Sequence, residues 1–198
     1  MMKSEKGVRE DSAHPFAILE EIMKQQIKIR SEVEADYSAI RRVNELAFGR
    51  PAEADLIENL RQLPEFEPLL SLVAEMDGKI LGHGMFSPIF IQGKDGEEYP
   101  CLSLGPIAVV PEFQKQGIGG MLIQAGHRTA LELDYNAVLL LGHPSYYPRF
   151  GYRLAENWNI TNPWQISGEP WMAIELIEGA LNGKAGLAVY PEAFNEAN

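Results

Sequence analysis

A strand followed by a glycine-rich turn and a helix is the feature that most limits how this chain folds. The apolar segment that ends at Val110 is followed by a short polar turn and then by a helical pattern that runs to Leu133. Gly117, Gly119 and Gly120 open that pattern. A helix N-terminus offers unpaired N–H groups and a partial positive charge, and glycine lets a ligand approach the backbone closely. This combination suits a pyrophosphate, although a tight turn that needs glycine only for packing is the alternative.

Two other phosphate-binding motifs do not fit this segment. A Walker loop ends in Gly-Lys-Ser/Thr, which the sequence lacks, and the dinucleotide fingerprint needs a third glycine three residues after the second. The residue three positions after Gly119 is Leu122. The dinucleotide fingerprint, which belongs to a βαβ unit, is therefore not present.

The other elements follow from apolar periodicity and from turn residues. Asp77-Gly78 between two apolar runs predicts a hairpin, and the uninterrupted apolar run Ala137–Leu141 predicts a buried central strand. Runs of antiparallel strands with interposed helices indicate an α/β (α+β) fold rather than an alternating Rossmann fold. The predicted strands span residues 27–30, 70–76, 79–91, 99–110, 137–141, 158–161 and 172–177, and the predicted helices span residues 34–48, 52–63 and 117–133.

The chain divides into three predicted segments. Residues 1–26 form an N-terminal extension with one short helix at 16–23, residues 27–190 form a single domain, and residues 191–198 form a tail. Apolar residues make up 45% of the chain and are spread along it, which supports one substantial core.

Composition excludes several classes of function. The formal net charge of -11 argues against nucleic-acid binding, because a phosphate backbone needs a basic face. The single cysteine, Cys101, cannot form an intramolecular disulfide and excludes zinc sites built on several thiolates, so we expect no metal. The charged N-terminal residues and the absence of any apolar run near membrane-spanning length predict a cytoplasmic protein without a signal peptide or membrane span.

The segment Gln114-Lys-Gln-Gly-Ile-Gly119 resembles the coenzyme A motif Gln/Arg-x-x-Gly-x-Gly/Ala of the GNAT superfamily of N-acetyltransferases. The preceding Leu104-Gly-Pro-Ile-Ala-Val109 resembles a bacterial subgroup of predicted N-acetyltransferases, and the element order from Ile27 to Tyr152 is similar to the family's. The resemblance implies acetyl-coenzyme A (acetyl-CoA) as co-substrate. The residues it implies for cofactor binding are Gln114, Lys115, Gln116, Gly117, Ile118, Gly119 and Gly120, together with the main chain of Ile107, Ala108 and Val109.

Pro106 lies inside a predicted strand, where it removes a ladder hydrogen bond. A bulge would accommodate it. The resemblance implies such a bulge in a mixed, mostly antiparallel sheet flanked by helices, at a point where this strand splays from the 137–141 strand. The resemblance further implies that the pantetheine arm of the cofactor enters that gap and pairs with the strand backbone.

A second segment, Tyr147-Pro-Arg-Phe-Gly-Tyr152, resembles the family's Tyr-x-x-x-Gly-Phe signature. The resemblance implies that the first tyrosine protonates the departing thiolate. Because the segment that leads into this signature is short, Tyr146 and Tyr147 are both candidates for that acid. The alternative is that the two tyrosines form a packing and hydrogen-bonding pair at a sheet end.

Three residues are candidates for the general base. Glu75 and His83 lie on hairpin strands expected to flank the acceptor cleft, and His143 lies just before the tyrosines. The alternatives are that Glu75 is a solvated strand-edge residue and that His83 is a packed histidine. Trp158, Trp164 and Trp171 either line an aromatic acceptor pocket or anchor the late strands.

The predicted function is transfer of an acetyl group from acetyl-CoA to a primary amine of a small molecule or a protein by direct attack. The alternative is a non-catalytic acetyl-CoA sensor or interaction module. Transfer of a longer acyl chain and a homodimeric state are also compatible with the resemblance.

Overall fold

A sheet of nine strands forms the centre of the computed structural model, which describes residues 26–94 and 96–195. The predicted helix at 16–23 lies outside the described residues. The strands are β1 Lys28–Ser31, β2 Ser71–Met76, β3 Lys79–Gly93, β4 Glu98–Val109, β5 Ala137–Leu141, β6 Arg153–Leu154, β7 Ile160–Thr161, β8 Trp171–Glu175 and β9 Gly186–Val189. The α-helices are α1 Tyr37–Phe48, α2 Ala52–Arg61 and α3 Ile118–Glu132. In the part of the chain that the structure describes, no helix is both long and apolar enough to cross a membrane.

The strands follow the order β1-β2-β3-β4-β5-β8-β6, and β9 pairs with β3 and β7 beside this path. Neighbours are antiparallel except for β4 with β5 and β7 with β9. The parallel β4–β5 contact consists of only two residue pairs, Leu102 with Val138 and Ser103 with Leu139. After Ser103 the two strands separate, which confirms the predicted splayed strand pair and the mostly antiparallel sheet.

A bulge in β4 accommodates Pro106. Leu104 pairs with Phe86 and Ile107 pairs with Gly84, so two residues of β4 oppose one residue of β3. Because the ladder is interrupted here, the missing N–H of proline removes no regular ladder bond. The predicted bulge is therefore confirmed, and it lies just after the last β4–β5 pair.

Helices cover both faces of the sheet, because alternate strand residues point to opposite sides. On one face Leu122 of α3 packs with Leu72 and Leu102. On the other face Ile40 of α1 and Ile57 of α2 pack with Val73 and Met85. All of these side chains are buried, and full burial of one such side chain contributes roughly 1.5–3 kcal/mol. The two cores hold α1, α2 and α3 in fixed positions around the bulge.

The C-terminal part differs most from the sequence predictions. Residues Ala155–Trp158 form a 3-10 turn, so the strand predicted at 158–161 is reduced to Ile160–Thr161. The short strand β9 was not predicted, because its four residues are defined by pairing with residues 90–93 of β3 rather than by local pattern. Within residues 191–195, Glu192–Asn195 form a 3-10 turn and Phe194 is buried against the α1–α2 core.

Candidate active site

A cleft of about 640 Å³ opens where β4 and β5 separate. Its walls are formed by the end of α1 and the start of α2, by the splayed end of β4, by the segment after β5, and by residues near the C-terminus. The lining residues are Ala47, Phe48, Arg50, Glu53, Leu56, Ser103, Leu104, Gly105, Pro106, Ile107, Ala108, Val109, Gln114, Leu141, Gly142, His143, Pro144, Tyr147, Trp164, Pro170, Tyr190 and Phe194.

The splayed end of β4 forms the floor of one side of the cleft. Ile107, Ala108 and Val109 pair with β3 on one edge and have no paired strand on the β5 side among the described residues. An extended ligand can therefore add to this edge as a further strand would. All three residues predicted to hold the cofactor arm line the cleft.

The loop between β4 and α3 contains two residues in the left-handed region, Lys115 with φ 62° and Gly117 with φ 90°. The side-chain amide of Gln114 donates to the Val109 carbonyl at 3.0 Å, and that of Gln116 donates to the Glu112 carbonyl at 3.1 Å. Both glutamine side chains thus brace the loop. An anion at this point would be held mainly by backbone N–H groups.

Those N–H groups belong to the first turn of α3. Helix bonding begins with the N–H of Met121, which donates to the Gly117 carbonyl at 3.1 Å. The N–H groups of Ile118, Gly119 and Gly120 precede it and lie at the positive end of the helix. The predicted order of a strand, a turn and a helix N-terminus is present.

The glycines of this turn also have a packing role. A Cβ atom on Gly119 would lie 2.6 Å from the Tyr146 hydroxyl, and one on Gly120 would lie 3.2 Å from the Phe150 ring. The guanidinium of Arg149 lies 4.1 Å from the centroid of the Tyr146 ring. The two interpretations of the glycine turn are therefore compatible, since close packing and an open helix end occur at the same residues.

Tyr147 lies at the base of the cleft and is only 8% exposed. Its ring makes edge contacts with Tyr146 and Tyr152, at centroid distances of 5.1 and 5.7 Å. Burial, together with the neighbouring Tyr146, raises the pKa of Tyr147 to about 12. The ring also depends on Gly142, where a Cβ atom would overlap it. Because Tyr146 is not among the cleft-lining residues, this geometry favours Tyr147 as the acid.

His83 lies in a buried polar network and does not line the cleft. It is 0% exposed, and its Nε2 lies 2.9 Å from the Ser71 hydroxyl and 3.4 Å from a Glu32 oxygen. Burial lowers the pKa of His83. Burial alone would raise the pKa of Glu32, but hydrogen bonds with His83, Arg61 and Ser71 lower it to about 2. The arrangement matches the packed-histidine alternative.

Glu75 is held at the other end of β2. Its carboxylate accepts a hydrogen bond from the Arg30 Nε at 2.7 Å, and the same guanidinium also binds Asp36. Glu75 is not among the cleft-lining residues. The geometry therefore favours a structural role for Glu75 over that of a general base.

Two other ionisable groups line the cleft. His143 is exposed at its rim. Glu53, in the first turn of α2, is largely buried, and Arg50 binds both of its oxygens, with Nε at 3.0 and 3.1 Å. His143 was a candidate from the sequence, whereas Glu53 was not, because periodicity gives the apolar face of α2 and does not show which polar residue meets a distant strand.

Three aromatic side chains form a continuous wall on the C-terminal side of the cleft, which we call the aromatic wall: Trp164, Tyr190 and Phe194. The ring centroids of Trp164 and Tyr190 are 4.7 Å apart, and those of Tyr190 and Phe194 are 5.0 Å apart. The Ser103 hydroxyl donates to the Tyr190 hydroxyl at 3.4 Å, which connects the wall to the last β4 residue that pairs with β5.

The other two tryptophans lie outside the cleft. Trp171 is buried and donates from its indole nitrogen to the Ile160 carbonyl at 2.9 Å. Trp158 packs beneath the guanidinium of Arg153, which lies 5.0 Å from its ring. These two tryptophans anchor the late strands, and Trp164 alone of the three lines the cleft.

Comparison with known proteins decides which family this arrangement represents. The model of the Acetyltransferase (GNAT) family matches residues 31–152. The chain belongs to the GNAT acetyltransferase family. Its membership makes the protein an acyltransferase, and it confirms the resemblance and the fold predicted from the sequence.

Relatives of this GNAT protein cover most of its length. Escherichia coli YhbS, named as an uncharacterized N-acetyltransferase, is 32% identical over 167 residues, which are 84% of this chain and 98% of YhbS. E. coli YjhQ, also named as an uncharacterized N-acetyltransferase, is 40% identical over 119 residues, which are 60% of this chain and 65% of YjhQ.

Two solved structures share the fold of this GNAT protein at similar identity. The crystal structure of E. coli YhbS in complex with CoA has a TM-score of 0.79 and 33% identity, and the match covers 86% of this chain and 92% of YhbS. The structure of a GNAT family acetyltransferase from Brucella melitensis in complex with acetyl-CoA has a TM-score of 0.69 and 32% identity, with 85% and 97% of the two chains covered.

Proposed function

We propose that this protein transfers the acetyl group of acetyl-CoA to a primary amine by direct attack of the amine on the thioester. The observation that carries the proposal is the cleft between β4 and β5, which has the glycine turn of α3 near one end and Tyr147 at its base. The CoA and acetyl-CoA complexes of the two similar structures support the same donor here.

The residues present fit this donor. The unpaired edge of Ile107–Val109 suits the two amides of a pantetheine arm, and the first turn of α3 suits a pyrophosphate. Gln114, Lys115, Gln116 and Gly117 form the turn that precedes the N–H groups of Ile118, Gly119 and Gly120 in the first turn of α3. We assign all of these residues to cofactor binding.

The chemistry requires a neutral amine. An alkyl ammonium with a pKa of about 10.4 is only about one part in a thousand neutral near pH 7.4. Once the ammonium has lost its proton to solvent, the nitrogen lone pair attacks the carbonyl carbon. A C–N bond forms, the C–S bond breaks, and the sulfur leaves with its electron pair. The amide nitrogen releases a second proton to solvent, and the thiolate takes up one proton to become the free thiol.

We assign Tyr147 the role of hydrogen-bond donor to the departing sulfur. Its ring is held by aromatic neighbours and its burial keeps the hydroxyl protonated. We assign no base to this reaction, since neither Glu75 nor His83 lines the cleft and His143 lies exposed at its rim. Desolvation of the amine in the cleft lowers its pKa and supplies the neutral form.

The test is calorimetric titration with acetyl-CoA, with ATP and NAD as controls, followed by a thiol-release assay over a panel of amines. Gly117→Val should weaken acetyl-CoA binding at least tenfold, because a branched side chain at φ 90° displaces the turn. Gly78→Val is the matched control, since Gly78 also has φ of 73° but lies in the β2–β3 hairpin.

Two outcomes would contradict the proposal at different levels. Absence of acetyl-CoA binding by folded protein would refute the cofactor site. Selective binding without thiol release for any amine would instead favour a sensor of acetyl-CoA. Equal weakening by both valine variants would mean that the effect comes from lost stability and not from the turn.

A further inference from the structure

The C-terminal side of the cleft is aromatic. It is formed by the aromatic wall, in which each ring contacts the next. Its position is fixed relative to the reacting end, because Tyr190 is hydrogen-bonded to Ser103 and Phe194 is buried in the α1–α2 core. An acceptor that enters here meets aromatic rings that are held in place by these contacts, beside the β4 edge to which we assign the donor arm.

The part of the cleft lining that comes from α1 and α2 is also mainly apolar, and its Leu56 belongs to the same packed cluster as the aromatic wall. Ala47, Phe48 and Leu56 line the cleft from the end of α1 and the face of α2. Phe48 is 41% exposed, although it is a large apolar side chain at a helix end. Phe48 and the aromatic wall therefore both present aromatic surface to a ligand in the cleft.

Negative charge in the cleft is already neutralised. Glu53 is the only carboxylate among the cleft-lining residues described, and Arg50 binds both of its oxygens. A polyamine or an aminoglycoside carries several cations, and each would lose its hydration in this cleft without gaining a free counter-charge. A single amine loses far less, because the reaction consumes its neutral form.

We infer that the acceptor is a monoamine whose nitrogen is attached to an aromatic or similarly flat apolar group, and that Trp164 determines this preference. The inference rests on the proposed function. Aromatic surface stabilises such a group by area burial and ring contacts, and it attracts the ammonium form as it arrives. Desolvation of the ammonium group against these aromatic surfaces lowers its pKa and favours loss of its proton to solvent. The reaction then needs no general base from the protein.

The experiment compares 2-phenylethylamine with spermidine and with a lysine-containing peptide in the thiol-release assay. The kcat/KM for 2-phenylethylamine is expected to be at least tenfold higher than the kcat/KM for spermidine or for the peptide. Trp164→Ala should raise the KM for 2-phenylethylamine about 10–100-fold and leave the Kd for acetyl-CoA within twofold. Trp164→Phe should restore most of the preference. Trp158→Ala is the matched control, because Trp158 packs against Arg153 outside the cleft, and it should leave all three acceptors unchanged.

A direct binding measurement complements the kinetics. Calorimetry on the CoA-loaded protein should detect 2-phenylethylamine and not spermidine, and Trp164→Ala should lose this binding while keeping its melting temperature within a few degrees of Trp158→Ala. A preference for spermidine or for the peptide would overturn the inference, as would an unchanged preference in Trp164→Ala, and both leave acetyl transfer itself intact. Failure to bind acetyl-CoA at all would refute the proposed function and the inference with it.

Discussion

Replacing Tyr147 with phenylalanine removes one oxygen atom from the base of the cleft and keeps the ring. The ring contacts Tyr146 and Tyr152 and occupies space that a side chain at Gly142 would fill. Phenylalanine keeps both contacts and fits the same space. The change therefore isolates the hydroxyl group. The expected effect is a lower kcat with little change in acetyl-CoA affinity.

The magnitude follows from the pKa of the two groups. The pKa of Tyr147 is about 12, and that of a free thiol is about 8.5. Complete proton transfer from the phenol to the thiolate is therefore uphill by roughly 3.5 pKa units. Tyr147 then acts mainly by donating a hydrogen bond to developing negative charge, which contributes about 1.5–3 kcal/mol. Tyr147→Phe should accordingly lower kcat about 10–100-fold.

The assay is thiol release at saturating acetyl-CoA and acceptor, from pH 6 to pH 10. Since Tyr147 stays protonated throughout this range, the rate of the wild-type protein should rise with pH as the amine loses its proton and should show no descending limb. Tyr146→Phe and Tyr152→Phe are the controls. The hydroxyl of Tyr152 is hydrogen-bonded to His127 at 2.9 Å and not directed at the cleft. A kcat within twofold of wild type for Tyr147→Phe, with acetyl-CoA binding intact, would refute this reasoning.

Three further predictions follow from contacts in the structure. Gly142→Ala should lower kcat about as much as Tyr147→Phe in the thiol-release assay, because the added Cβ displaces the tyrosine ring; normal turnover would show that ring position is unimportant. Gly126→Ala should cost roughly 1–3 kcal/mol of unfolding free energy in a urea titration, because its Cβ overlaps Phe86. The pKa of Glu32 falls from its ordinary value to about 2 in the folded state, so its contribution, up to about 3 kcal/mol, is complete above pH 4.5 and is lost as the pH falls toward 2. Glu32→Gln should be less stable than wild type at pH 6, with a gap that narrows by pH 3; a constant gap would contradict the assignment.

Part of this fold could be predicted from the sequence, because some elements are specified by residues that are close along the chain. Asp77 and Gly78 both adopt positive φ, as the hairpin prediction requires, because a two-residue turn is specified by its own residues. The strand Ala137–Leu141 was predicted at its observed bounds, since a short apolar run bounded by polar residues has few other ways to be buried. The glycine turn before α3 was predictable for the same reason.

Which polar and aromatic residues line the cleft could not be predicted in this way. Glu75 and His83 were predicted to flank the acceptor, but Arg30 on β1 holds Glu75 in an ion pair, and Ser71 on β2 holds His83 in a buried hydrogen bond. Glu53 and Trp164 line the cleft instead. Alternation along a strand predicts two faces but does not show which face contacts a ligand. The sequence also does not distinguish the three tryptophans, because long-range packing decides which of them lines the cleft.

The sequence by itself determined the type of each main element, the turns between them and the family to which the chain belongs. These properties depend on residues that are close along the chain, where backbone geometry and side-chain pattern act directly. Only the tertiary structure decided the pairing of β9, the placement of Glu75 and His83 outside the cleft, and which of the three tryptophans lines it. These depend on contacts such as that between Ser103 and Tyr190, 87 positions apart, whose formation is set by the packing of the whole sheet and by no local preference.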